Sequence, residues 1–240
     1  MIEIHHVRGE DLQEAYNDLY DTTPIRHSDS FYRRMLKYIA LTPGQRFLDV
    51  ACGQARMVEL AQSDYGVIGF GTDLSFSALK SSVNIKQLYV ADGEHLPIRS
   101  NSIDRLTNIG SLEHYVDPGQ GVREITRILS KTGLACIVLP NLFGAGSNII
   151  YSFHHGDIID DGQPIQRYST RKGWQMLLED NGLKILKTFK YEREWPSNLH
   201  DLWHYIKRPK ELLHLLISPW VPLNLANCFI FICQPKGSPL

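Results

Sequence analysis

Residues 46–55, RFLDVACGQA, limit the fold of this chain more than any other stretch. Phe47, Leu48 and Val50 are the apolar side chains of a short buried strand, and they flank one carboxylate, Asp49. Ala51, Cys52 and Gly53 then make a tight turn, and the run from Ala55 to Leu60 reads as the start of a helix. A buried strand that passes through a tight turn into a helix is how an open α/β sheet builds a ligand crevice. The ligand sits beyond the carboxyl end of the strand, where backbone N–H groups at the helix N-terminus are free. Small residues matter there because a larger side chain would hold the ligand off the backbone. By itself the stretch also fits an ordinary strand-to-helix turn that binds nothing.

The pattern repeats downstream. Residues 66–71 form a Gly-rich apolar strand that runs to Thr72-Asp73, and Ser75 caps a helix through Ala78 and Leu79. Residues 87–91 read as a strand stopping at Asp92-Gly93, and residues 103–109 as another, closed by Gly110. Asp117-Pro118 opens a helix carrying Val122, Ile125, Ile128 and Leu129. Residues 134–139 are apolar on both faces, as in the middle of a covered parallel sheet. Thr170 caps a helix over 172–181, and residues 183–189 and 228–233 supply two more strands. Ahead of the first strand, residues 10–40 read as two helices, the second capped at Ser28-Asp29. Alternation at this spacing predicts an α/β fold, a doubly wound sheet built from βαβ units. Residues 141–168 and 192–224 break the regularity.

Asp49, Asp73 and Asp92 close three consecutive predicted strands. Parallel strands put their carboxyl ends on one edge, so the three carboxylates are expected to line one crevice. Asp73, one crossover after Asp49, stands where a carboxylate reaches the ribose hydroxyls of a nucleotide. Asp92 can accept from an adenine amino group. An Asp after a strand is often only a turn former, which explains one of them more readily than all three in step.

Composition narrows the partners. The formal net charge of −1 offers no electrostatic ground for a nucleic-acid partner, and none is expected. Cys52, Cys136, Cys228 and Cys233 form no C-x-x-C pair and read as small buried thiols, so a cytoplasmic location is expected. The first residues carry acids and no apolar run, which predicts no secretion signal. Residues 212–232 are apolar but hold Pro219, Pro222, Asn224 and Asn227; they read as a capping segment followed by a strand, with no transmembrane segment. Room for peripheral membrane contact remains.

RFLDVACGQA, GTDLS, ADGEHLPIRSNSIDRL and SLEHYVDPGQGVREITRILSKTGL, spanning about residues 40 to 140, together resemble the class I S-adenosylmethionine-dependent methyltransferases, most closely the branch acting on small molecules. The resemblance implies a single methyltransferase domain over 1–240 with a Rossmann-like, doubly wound, seven-stranded, mostly parallel sheet, helices on both faces and the last strand antiparallel. It also implies an N-terminal helical cap (1–42) and lid-like insertions at about 141–168 and 192–224. The implied cofactor is S-adenosyl-L-methionine, leaving as S-adenosyl-L-homocysteine. Asp49, Ala51, Gly53 and Gln54 would hold its methionine part, Asp73 the ribose diol and Leu74 the adenine face. Asp92 and Gly93 would meet the adenine edge, and Ile109 would line the floor. Ala51 and Ala55 depart from the family's usual glycines, and Ala55 is expected to tighten the turn against the cofactor.

The implied acceptor is a small molecule, hydrophobic or lipid- or sugar-linked. Its pocket is expected from the N-terminal helices and the two irregular blocks, with Tyr16, Tyr20, Phe153, Tyr168, Trp195, Trp203 and Trp220 as aromatic surface. The later block would be a lid with an apolar lip at 217–222. His114 in SLEHY is the candidate general base, with helix packing as its other reading. Two further readings stay open: an NAD(P)-binding Rossmann oxidoreductase, which wants more glycines than this turn has, and a cofactor-binding protein without catalysis. The pair His200 and His204 in HDLWH has helical i, i+4 spacing but no obvious third ligand, so no metal is expected.

Overall fold

The structure is a computed structural model that describes every residue except 7–11, 23–25, 81, 83–86, 194, 197–198 and 239–240; the side chains of His200 and His204 also lie outside it. In chain order it opens with β1 (Ile2–His5), α1 (Leu12–Thr22), α2 (Asp29–Tyr38), β2 (Arg46–Val50), α3 (Arg56–Tyr65), β3 (Ile68–Asp73), α4 (Phe76–Lys80) and β4 (Leu88–Val90). Then come β5 (Ile103–Ile109), α5 (Pro118–Ile128), β6 (Leu129–Pro140), α6 (Ile150–His155), β7 (Ile165–Tyr168) and α7 (Arg171–Asp180). The chain closes with β8 (Leu183–Tyr191), α8 (Leu199–Ile206), α9 (Pro209–Ile217) and β9 (Cys228–Pro235).

Seven strands form one sheet in the order β4-β3-β2-β5-β6-β9-β8, with β9 antiparallel to both its neighbours, as expected. Phe47 and Leu48 on β2 are fully buried on opposite faces, which places this strand at the centre of two cores. On one face α2 and α3 bury Met35, Leu36, Ile39, Val58 and Ala61. On the other, α5 and α7 bury Val122, Ile125, Trp174 and Leu178. Local signals set the helix starts. The Ser28, Asp117 and Thr170 side chains each accept a backbone N–H of the first turn, and Pro118 occupies a position where its missing N–H costs nothing. The topology changes direction between β2 and β5, which places a ligand crevice beyond the carboxyl ends of β2, β3 and β4.

Three segments depart from expectation. The N-terminal segment is not helical throughout: β1 pairs antiparallel with β7, Ile2 opposite Tyr168, as a separate two-stranded sheet. Residues 141–168 hold a π-helical turn (Ala145–Ile149), α6 and β7, and residues 192–224 hold α8, α9 and two 3-10 turns. Neither block is irregular. Among the described residues, no helix is long and apolar enough to cross a membrane.

Candidate active site

The turn after β2 is built by backbone strain and one buried carboxylate. Ala51, Gly53 and Ala55 all adopt left-handed φ values of +58°, +53° and +58°. Each alanine there costs about 1–2 kcal/mol, strain that the surrounding fold must hold in place. Asp73, at the end of β3, supplies part of the restraint. Its Oδ2 accepts the Gly53 N–H at 2.7 Å and its Oδ1 accepts the Ser75 N–H at 2.9 Å, joining the ends of β2 and β3. Each carboxylate oxygen keeps a lone pair for a hydroxyl. Burial still raises the Asp73 pKa, against those two backbone bonds.

Asp49 lies deeper, 5% exposed, and its Oδ1 accepts from the Thr107 hydroxyl at 2.6 Å. Burial pushes its carboxyl up to about 7, with the Thr107 bond opposing and the Asp73 charge adding to the rise. Asp92 is half-exposed. It accepts the Glu94 N–H at 2.8 Å and lies 3.1 Å from His95 Nδ1. Gly93 beside it is obligatory for a steric reason: a Cβ there would stand 2.0 Å from the Tyr115 hydroxyl.

These groups open into one cavity of about 350 Å3, within the usual size of small-molecule sites. Asp49, Ala51, Gly53, Asp73, Leu74, Asp92, Gly93 and Ile109 all line it, and so does His114. Gln54 does not; its carbonyl instead accepts from Ser82 Oγ at 2.5 Å. The Ala55 methyl is turned away too. It is fully buried in the core with Met57 and Val58, so it does not crowd the cavity.

Sequence reasoning missed part of the wall. His27, Tyr32, Met57, Ser111, Tyr115 and Gln163 line the cavity as well. Of the aromatic residues expected at the acceptor end, Tyr16 and Tyr20 line it, while Phe153, Tyr168, Trp195, Trp203 and Trp220 do not. Tyr20 sits over the turn after β2, its hydroxyl 2.9 Å from where a Gly53 Cβ would lie. Tyr16 Oη is buried with no hydrogen-bond partner among the described residues, and Tyr16 faces the cavity. An orphaned polar atom of this kind fits a polar ligand that completes it.

His114 is 8% exposed, in a 3-10 turn after β5. Its Nδ1 lies 2.5 Å from the Ile165 carbonyl. A carbonyl can only accept, so Nδ1 carries the proton and Nε2 keeps its lone pair. Burial lowers the His114 pKa, and the Ile165 carbonyl only partly offsets this, so the ring is a neutral base near pH 7. Nε2 stands 3.9 Å from Glu113 Oε1, and burial pushes the Glu113 carboxyl up to about 8. Arg167 on β7 straps the segment down, donating to the carbonyls of Glu113, Tyr115 and Val116.

The motif running from Asp92 to Arg127 has a structural role of its own. Glu124 accepts the Leu96 N–H at 2.8 Å, and Arg127 donates to the carbonyls of Leu96 and Ile98 at 2.9 and 2.7 Å. This clamp fixes the loop that carries Asp92 and Gly93. No group of His, Cys, Asp and Glu among the described residues could hold a metal ion. The His200 and His204 side chains lie outside those residues.

A family model described as a methyltransferase domain matches residues 48–137. Demethylmenaquinone methyltransferase of Corynebacterium kroppenstedtii is 31% identical over 119 residues, 48% of this chain and 51% of that protein. The tRNA (carboxymethyluridine(34)-5-O)-methyltransferase of Schizosaccharomyces pombe is 27% identical over 131 residues, 51% of this chain and 55% of that protein. The chain thus spans about half the length of these curated relatives. Among solved structures, the complex between the Haloferax volcanii Trm112 methyltransferase activator and a methyltransferase contains a chain similar in fold. Its TM-score is 0.66 at 16% identity, covering 98% of this chain and 100% of that one. The matched segment from β2 to β6, the sheet order and the strained turn opening on the cavity together resemble the class I S-adenosylmethionine-dependent methyltransferases.

Proposed function

We propose that the chain transfers a methyl group from S-adenosylmethionine to a small, largely apolar acceptor bearing a ring hydroxyl or acidic carbon. The observation that carries the reading is the Asp73 carboxylate, which binds Gly53 and Ser75 at once and so presents the donor turn and its own free lone pairs to one cavity with His114. Asp49, Ala51 and Gly53 would hold the amino-acid end of the donor, with Gln54 supporting the turn through its backbone. Asp73 would take the ribose hydroxyls, Leu74 the adenine face, Asp92 and Gly93 the adenine edge. Ile109 would floor the reacting end. The donor supplies an already activated leaving group, so the protein's work is alignment and exclusion of water. His114 Nε2 would take the acceptor's proton, since its other nitrogen is committed to Ile165.

The aromatic wall of Tyr16, Tyr20, His27 and Tyr32 supports a flat, apolar acceptor, as does the likeness to a demethylmenaquinone methyltransferase. The domain reading is part of the same proposal: one catalytic domain, with α1 and α2 as a cap and the two insertions as cover. Four free thiols support a cytoplasmic setting. A screen of quinols, phenols and polyprenylated ring compounds with labelled methyl donor tests the acceptor. Label transfer to a quinol that is lost in His114→Ala supports the reading; transfer to tRNA and to no small molecule overturns it.

A further inference from the structure

Helices on a folded protein turn their apolar stripe inward. The two helices of the last insertion do the reverse. On α8, Leu199, Leu202, Trp203 and Ile206 follow the i, i+3, i+4, i+7 spacing of a single helix face. They are 84%, 41%, 56% and 50% exposed. The inward side of the same helix carries Tyr205, 8% exposed, and Asp201, which accepts from Ser30 Oγ. Leu213, Leu216 and Ile217 on α9, with Trp220 just beyond it, repeat the spacing and are likewise exposed, Trp220 at 79%. Leu215 and Ser218 face inward.

The stripes belong to a held element. His214 Nε2 lies 2.9 Å from Glu192 Oε2, and Glu192, itself buried, accepts the Asn227 N–H at 2.8 Å. Lys190 Nζ donates to the carbonyls of Ser218, Pro219 and Val221, fixing the turn that presents Trp220. Charge is sorted as well. Lys207 and Lys210 are exposed between the stripes, and Lys207 Nζ stands 5.1 Å from the Trp203 ring centroid. The two acids of these helices are turned to partners, Asp201 to Ser30 and Glu211 to Arg193 and Arg208.

We infer that α8 and α9 form a surface element that seats the protein on a bilayer carrying anionic headgroups. Leu and Ile supply buried apolar area, Trp203 and Trp220 the amphipathic rings favoured at the headgroup level, and the intervening cations the attraction to anionic lipid. A partner of the opposite sign is what the outward cations and inward acids select. The element also lies close to the cavity: α8 bonds Ser30, and His27, three residues earlier, lines the cavity wall. The inference does not depend on methyl transfer.

Vesicle flotation of the full chain tests it, with vesicles of phosphatidylcholine alone and of phosphatidylcholine mixed with phosphatidylglycerol. The protein should float with the mixed vesicles, and its tryptophan emission should shift blue, since Trp195, Trp203 and Trp220 are exposed while Trp174 is buried. Trp203→Ser with Trp220→Ser should cut vesicle binding more than about tenfold. Lys207→Glu with Lys210→Glu should cut the preference for the anionic vesicles by at least about fivefold per charge. Both variants should keep wild-type circular dichroism. Failure of the wild type to float with the mixed vesicles overturns the inference, as does equal flotation of the variants. So does a dimer in light scattering that the tryptophan substitutions dissolve, which would make this face an interface between copies.

Discussion

The two halves of the cavity are held by different means. On the side of the turn after β2, strand ends of the main sheet do the positioning: Asp49 is held by Thr107 on the adjacent β5, Asp73 by Gly53 and Ser75, and Asp92, just after β4, by Glu94. On the side of His114, the separate two-stranded sheet of β1 and β7 does it. His114 is oriented by Ile165, the segment around it is strapped by Arg167, and Arg167 in turn pairs with Glu3 on β1. One half of the cavity thus rests on the main sheet and the other on the small sheet, so the second can change without disturbing the first.

The contrast can be broken most sharply at Asp73. Asp73→Ala removes two bonds to backbone N–H groups and the hydroxyl acceptor together, so donor affinity should fall at least about a hundredfold, near 3 kcal/mol. Calorimetry would read the loss directly, and unchanged affinity would mean the donor turn is held some other way. His114→Ala probes the opposite side. Turnover should drop more than about tenfold while donor affinity stays put; equal turnover would assign His114 to structure. Because burial lowers the His114 pKa, the acid limb of the rate profile should lie below pH 6.5. Asp92, half-exposed and bonded only locally, should matter less. About a fivefold loss of donor affinity is expected for Asp92→Ala, the cost of one partly solvated hydrogen bond.

How far each half could be read from sequence follows from the same contrast. Asp49, Asp73 and Asp92 were legible because strand periodicity and chain direction place them on one edge without knowledge of any distant contact. Ala55 packs into the core beside Met57 and Val58, a placement that no local pattern reports. β7 was invisible: Ile165, Gln166, Arg167 and Tyr168 are all buried, so no alternation of polar and apolar residues marks the strand. Its partner β1 is mostly exposed and short. The helices α8 and α9 were hidden for the opposite reason, because their apolar residues face water and Pro209 interrupts the run. Tyr32 and His27 entered the cavity wall through the packing of α2, which no local pattern reports.

The last expected effect is on stability, at Glu113. Its folded pKa, about 8, stands above its ordinary value of 4.5. Between those values the unfolded chain gives up a proton that the fold retains, so stability falls as pH rises from 4.5 toward 8. Glu113→Gln removes the penalty. Its melting temperature should match the wild type near pH 4.5 and exceed it by a margin that widens as pH rises to 8, and a gap that does not grow with pH would contradict the buried, protonated carboxyl.

The central claim is that the strand-end acids and the strained turn form a methyl-donor site. Calorimetric titration of the full chain with S-adenosylmethionine, S-adenosylhomocysteine and NAD tests it most directly. The account predicts saturable one-to-one binding of the first two, lost in Asp73→Ala, and no measurable heat with NAD. Saturable binding of NAD with no response to S-adenosylmethionine would contradict it.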